Sequence, residues 1–281
     1  MSADEVTPVR SRRAPGPGGP ALWAITGLGA LFLALPVVTL VVRAVVDGSF
    51  AHALGTAVVL DALSLSLVTT AVSLVVTVVF GLPLALVLAR RSFRGSSLLE
   101  AIVDLPIVLP PAVAGLALLL VLGREGLLGP ALKAFGVELP FTTAAVVFAQ
   151  TFVAAPFFIR SARTGFAGID RDLEDAARVD GASESQLFRS ITIPLASPAL
   201  AAGLVMSWAR SLGEFGATIM FAGNVEGRTQ TLPLLVYGQF ECGELESSIA
   251  AAAILVLAAF GVLVAVRAFH WGRVLDLRVG A

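Results

Sequence analysis

The sequence predicts an all-α, polytopic membrane protein with six transmembrane helices. Three observations predict it. Of 281 residues, 57% are hydrophobic and only 14% are charged, against about 25% charged in an average soluble domain. The charges are clustered, which leaves six charge-free runs at 21–42, 62–89, 105–123, 139–159, 190–209 and 247–266. A bilayer core takes about 20 apolar residues per helix, and each run is of that order or longer. The runs are also continuous rather than alternating every second residue, which favours helices over a barrel.

Residues 1–20 hold four prolines and three glycines. They bury too little apolar surface to fold and are expected to be a disordered cytoplasmic tail. Arg10, Arg12 and Arg13 in it read first as charges of a solvated tail that help fix topology, with contact to anionic lipid as the alternative. The first run is longer than the 7–15 residues of a signal-peptide core, so it reads as a retained span. The third run opens on Pro106, Pro110 and Pro111, which predicts a kinked or broken start. Glu100 and Asp104, four apart and of like sign, read as an interfacial face at its cytoplasmic end. The fifth span is expected to continue past Ala209 to near Phe221, because apolar sequence resumes after Glu214. Residues 21–270 thus form the transmembrane domain, and 271–281 a short cytoplasmic tail.

Lysine and arginine counts orient the chain. With the N-terminus inside, 14 arginines fall in cytoplasmic segments: Arg10, Arg12, Arg13, Arg90, Arg91, Arg94, Arg160, Arg163, Arg171, Arg178, Arg189, Arg267, Arg273 and Arg278. Four basic residues, Arg43, Arg124, Lys133 and Arg228, fall outside, and Arg210 lies within a span. Both termini are therefore expected in the cytoplasm. The last outer loop is acidic, with Glu226, Glu241, Glu244 and Glu246.

Other chemistries are excluded one by one. A net charge of −1 gives no global field toward nucleic acid. Cys242 is the single cysteine, so no intrachain disulfide forms. The two histidines, His52 and His270, are far apart and show no metal-ligand spacing. No cofactor is expected, and no Ser/His/Asp constellation appears. The lone lysine, Lys133, does not sit in a G-x-x-x-x-G-K-[ST] loop. If ATP drives this protein, another chain hydrolyses it.

The longest and most charged cytoplasmic loop spans 160–193. Arg171 to Val179 suits a helix, with Leu173, Ala176 and Ala177 at i, i+3, i+4 spacing. Gly181 supplies a stop. Ser183 with Gln186 three residues later is a capping-box pattern for a second short helix, to which Leu187 and Phe188 give an apolar side. Small alanines on an exposed face favour close approach of a partner, whereas a helix held on lipid wants bulkier anchors.

This loop resembles the EAA motif of ABC-importer permeases, E-A-A-x3-G-x9-I-x-L-P. Here it reads Asp175-Ala176-Ala177, Gly181, then Ile191-Thr192-Ile193-Pro194. Asp175 stands for the first glutamate and Ile193 for the leucine. The resemblance covers roughly residues 60–270. It implies the type I ABC importer permease fold, two copies of a separate ATPase subunit, an extracytoplasmic binding protein and a homodimer. It further implies that Asp175, Ala176, Ala177, Gly181, Ser185 and Leu187 belong to a coupling helix that docks on the ATPase. Gly213-Glu214-Phe215-Gly216, with 217–224 and the Arg228-Thr229-Gln230-Thr231-Leu232-Pro233 run, is similar to the molybdate branch of that family. So is the segment 104–115 with 122–129. Sulfate and thiosulfate permeases share much of the first signature, and no physics in the sequence separates these dianions, or tungstate.

Arg210 and Glu214 are four apart and so are expected one turn from each other on one helix face. A charge at this depth costs a few kcal/mol or more and usually faces a partner or a watery cavity. Two readings stand: an ion pair that holds the bundle, and, with Thr218, a lining for the ion pathway. A stand-alone ion-coupled transporter is the rival of another class, and it has no use for the EAA-like loop.

Overall fold

The computed structural model describes residues 20–91 and 93–279. Apart from Pro20, the expected N-terminal tail therefore lies outside the described residues. Among them every regular element is helical. Helix α1 (Pro20–Val46) is followed by the short α2 (Ser49–Leu54) and the long α3 (Ala57–Arg90). Then come α4 (Ser96–Val108), α5 (Pro111–Leu122), the short α6 (Gly129–Ala134) and α7 (Thr143–Ala167). Helices α8 (Arg171–Val179) and α9 (Glu184–Leu187) lead through a π-helical turn (Phe188–Thr192) into α10 (Ile193–Leu212). The chain ends with α11 (Gly216–Ala222), α12 (Leu232–Glu241) and α13 (Leu245–Val279). Five helices are long and apolar enough to cross a membrane, and α4 with α5 make a sixth if that bent pair is one crossing.

Two of the expected spans are interrupted, for different reasons. The run 105–123 is not one helix: α4 and α5 meet at a bend of 118°. Pro110 lacks an N–H and pushes Leu109 out of the helical region, to φ −66°, ψ 133°. Pro111 then serves as the first residue of α5, where the missing N–H costs nothing. The fifth span ends at Leu212 rather than continuing to Phe221. Its apolar composition hides a break at Gly213-Glu214-Phe215, after which α11 starts anew.

Helices α3, α7 and α10 form the centre. Leu88, Phe158, Ile159, Ala162 and Phe166 pack there, with Ala196 from α10. Lipid offers helices no hydrophobic reason to associate, so close contact and hydrogen bonds do the work. Ser161 donates to the Ala199 carbonyl at 2.7 Å, and Ser207 to that of Ala154 at 3.0 Å, so α7 and α10 are bonded side to side. Thr151 donates to the Ser73 hydroxyl at 3.1 Å, and Ser73 lies 3.4 Å from the Ser211 hydroxyl, which ties all three helices together. Helix α1 behaves differently. Ala44 is its buried residue, while Trp23, Leu28 and Phe32 are all exposed. A helix apolar on every side belongs in lipid or against another membrane surface.

The two half-helices α5 and α11 lie against each other and against α7. Gly115 faces Ala217 and Met220 so closely that an added Cβ would sit 2.5 Å from the Ala217 carbonyl oxygen. Gly216 faces Pro111 in the same way, at 2.7 Å. This closeness gives a test. Gly115→Ala must push α11 off α5 and is expected to destabilise by about 1–3 kcal/mol. Gly27→Ala, with open space around it, should not. Thermal unfolding of the two variants in detergent reads the difference, and equal behaviour would refute the close packing.

Candidate functional site

The loop that follows α7 is built by ordinary capping chemistry. Helix α7 runs on to Ala167, so Arg160 and Arg163 project from its last turns rather than from the loop. There they pair with Asp104 at 3.1 Å and Glu100 at 2.8 Å. The acidic residues thus form a two-rung ladder between α4 and α7, not merely an interfacial face. Asp170 caps α8 by accepting from the Asp172 N–H at 3.0 Å. At the other end the Gly181 N–H bonds the Arg178 carbonyl, and the Ala182 N–H that of Ala177. This is a Schellman motif, and Gly181 holds its left-handed φ of +88°. Ser183 and Gln186 form the reciprocal capping box.

Arg178 joins α8 to α9. Its Nε donates to Glu184 Oε1 at 2.7 Å, and its Nη1 to Asp175 Oδ1 at 2.7 Å. The guanidinium lowers the Glu184 carboxyl below its ordinary value of 4.5. A lowered carboxylate keeps its pairing at neutral pH and loses it only as pH falls through that depressed value.

The six expected coupling residues divide by exposure. Asp175, Ala176, Gly181 and Ser185 face outward, and Ala177 is half-buried. Leu187 is buried, so it turns inward from α9. In its place the outward apolar stripe of α8 is Leu173, Ala176 and Val179, with Val179 88% exposed.

Sequence reasoning missed Glu174. Its side chain is 7% exposed, and Oε1 accepts from Arg90 Nη2 at 2.5 Å and from the Thr192 hydroxyl at 2.9 Å. The signal was available: Glu174 and Ala177, three apart, share the inward face of α8, and an inward carboxylate requires a cation. Arg90, at the end of α3, is one.

The second site is the break after α10. Arg210 and Glu214 pair at 2.6 Å as their spacing suggested, but Glu214 lies beyond the helix end. The pair sits where α10 presents its negative end and α11 its positive end, so each charge suits the dipole beside it. Glu214 is 1% exposed and Arg210 27%. Glu214 Oε1 also accepts from the Ala217 N–H at 2.7 Å. Thr218 is buried on α11, and its hydroxyl has no partner among the described residues. The same holds for Thr70 and Thr77 on α3. Of the three expected pathway residues, only Arg210 reaches a surface.

Removing Arg210 strands a buried carboxylate. Arg210→Ala is expected to cost on the order of 3 kcal/mol, and Arg210→Ala with Glu214→Ala to regain much of it. Detergent unfolding temperatures of the two variants check this. A double variant less stable than the single would show that Glu214 matters chiefly as the cap of α11.

The comparisons agree with this architecture. Solved structures share the fold at low identity. A chain of a bacterial ABC transporter that imports the acidic polysaccharide alginate superposes with a TM-score of 0.71 at 20% identity, covering 90% of this chain and 94% of that one. A chain of the MetNI methionine ABC transporter gives 0.53 at 20% identity, covering 74% and 96%. Among curated relatives, the molybdenum transport system permease protein ModB of Mycobacterium tuberculosis is 42% identical over 241 residues, 85% of this chain and 90% of its own. The molybdate/tungstate permease protein WtpB of Pyrococcus abyssi is 34% identical over 250 residues, 88% and 94%. The putative molybdenum permease protein YvgM of Bacillus subtilis is 41% identical over 180 residues, 64% and 79%. The model of the binding-protein-dependent transport system inner membrane component matches residues 78–272, and this chain is a multi-pass member of that family.

Proposed function

We propose that the chain is the permease subunit of an ATP-driven molybdate importer, working as a homodimer with two ATPase subunits and an extracytoplasmic binding protein. The observation that carries this is the α8–α9 pair: rigidly capped, cross-braced by Arg178, and presenting Leu173, Ala176 and Val179 outward. The names of the relatives support the cargo. Tungstate is the second reading, because the WtpB relative is named for both oxyanions.

This reading implies a mechanism of alternating access. ATP binding closes the ATPases and draws the two coupling helix pairs together. The helices joined to them shift, and the pathway between two copies opens alternately outward and inward. The partly exposed guanidinium of Arg210 offers positive charge to a passing dianion, while Glu214 holds the empty site near neutrality. Hydrolysis takes place on the separate ATPase. The orientation proposed has both termini in the cytoplasm.

Three measurements test this reading. In the assembled complex with binding protein, molybdate should stimulate ATP hydrolysis and tungstate should compete. Stimulation by sulfate alone would replace the cargo. A membrane-impermeant thiol reagent should label the exposed Cys242 from outside intact cells and not from inside, and the reverse pattern would invert the topology. Gly181→Val forces a β-branched residue into a left-handed backbone, a strain of about 1–2 kcal/mol, with open space around it. The variant should reach the membrane but lose transport, and unaltered uptake would remove the loop from coupling.

A further inference from the structure

The helix pair that faces the ATPase continues through the π-helical turn into α10, while α8 reaches α3 across a gap. A cavity of about 560 Å³ lies between α8 and the cytoplasmic end of α3. Leu86, Val87 and Arg90 line one side, and Arg171, Glu174 and Asp175 the other. Across that gap, Glu174 makes the polar link. Its Oε1 takes one bond from Arg90, the last residue of α3, and one from Thr192, in the π-helical turn that opens α10. Three elements, one of them 84 residues away, thus meet on a single oxygen atom.

We propose that Glu174 is a positioning residue that transmits movement of the α8–α9 pair into the two helices beside the pathway. The Arg90 bond carries it to α3 and the Thr192 bond to α10. These are the helices tied by Ser73 and Ser211 a few turns further on, and Arg210 lies in the last turn of α10. A charge-assisted bond suits this task, being short and roughly twice as strong as a neutral one. Burial keeps water from competing for the carboxylate, since Glu174 is 7% exposed and Arg90 18%. The neighbouring Asp175, 68% exposed and bonded within the loop to Arg178, has no such reach. The π-helical turn adds a point where α10 can adjust its register, as such turns do at functional sites. Breaking the link leaves the docking stripe of α8 unchanged, so ATPase binding and transport come apart. This inference rests on the ATPase-docking reading above.

The test uses proteoliposomes holding the whole complex with binding protein, and measures molybdate moved per ATP hydrolysed. Glu174→Ala removes both bonds, and Thr192→Val, nearly isosteric, removes only the branch to α10. ATPase co-purification is measured beside them. Glu174→Ala is expected to retain the ATPase and hydrolyse ATP while moving about fivefold less molybdate per ATP, with Thr192→Val intermediate. An unchanged ratio in both variants overturns the proposal. If Glu174→Ala does not assemble, Thr192→Val decides: a lowered ratio supports the link and a native ratio overturns it. Failure of the wild-type chain to bind any ATPase would instead overturn the function, and is told apart by co-purification alone.

Discussion

A bilayer supplies no hydrogen bonds, so every interruption of a helix inside it must be satisfied by the protein itself. This constraint shapes the molecule around Glu214. Helix α10 stops at Leu212 and α11 begins at Gly216, which frees backbone groups and exposes two dipole ends. One carboxylate answers several needs: it accepts from the Ala217 N–H, meets the positive end of α11, and pairs with Arg210 at the negative end of α10. The arginine in turn is neutralised without being enclosed. Helices α5 and α11 then fit together through Gly115 and Gly216, where no side chain intervenes. The break is a constructed feature, and it places a guanidinium at a surface.

The same economy appears at the end that carries α8 and α9. There Glu174 gathers Arg90 and Thr192 as Glu214 gathers Arg210 and Ala217. Helix α10 runs from one carboxylate to the other, and α3 meets the first through Arg90 and joins α10 through Ser73 and Ser211. Along the way the Ser73 and Ser211 hydroxyls meet, and leucines of both helices pack into the cluster they share with α7. An importer that receives its work at one end and uses it at the other needs helices of this kind, and the proposed function asks for that separation.

Much of this was legible in the sequence. Charge-free runs revealed the spanning helices, because excluding charges from the hydrocarbon is a local and strong requirement. Ser183 with Gln186, and Gly181 after an amphipathic stretch, revealed the loop, because caps are written in adjacent residues. The break at Gly213-Glu214-Phe215 was hidden, because hydropathy does not sense whether a helix is continuous. The need of an inward Glu174 for a cation was legible, but not which cation, because Arg90 lies 84 residues away and only the fold brings them together. The inward place of Leu187 was not legible, because an apolar residue on a short helix suits a partner's surface and the protein's own core equally well.

The central claim is that work done by a separate ATPase on the loop 160–193 moves the proposed oxyanion through this chain. It is tested most directly by uptake into sealed proteoliposomes carrying the chain, its ATPase and the binding protein, with and without ATP. The account predicts that molybdate accumulates above its external concentration only when ATP reaches the cytoplasmic face. Accumulation that persists without ATP, or that follows an imposed ion gradient instead, would contradict it.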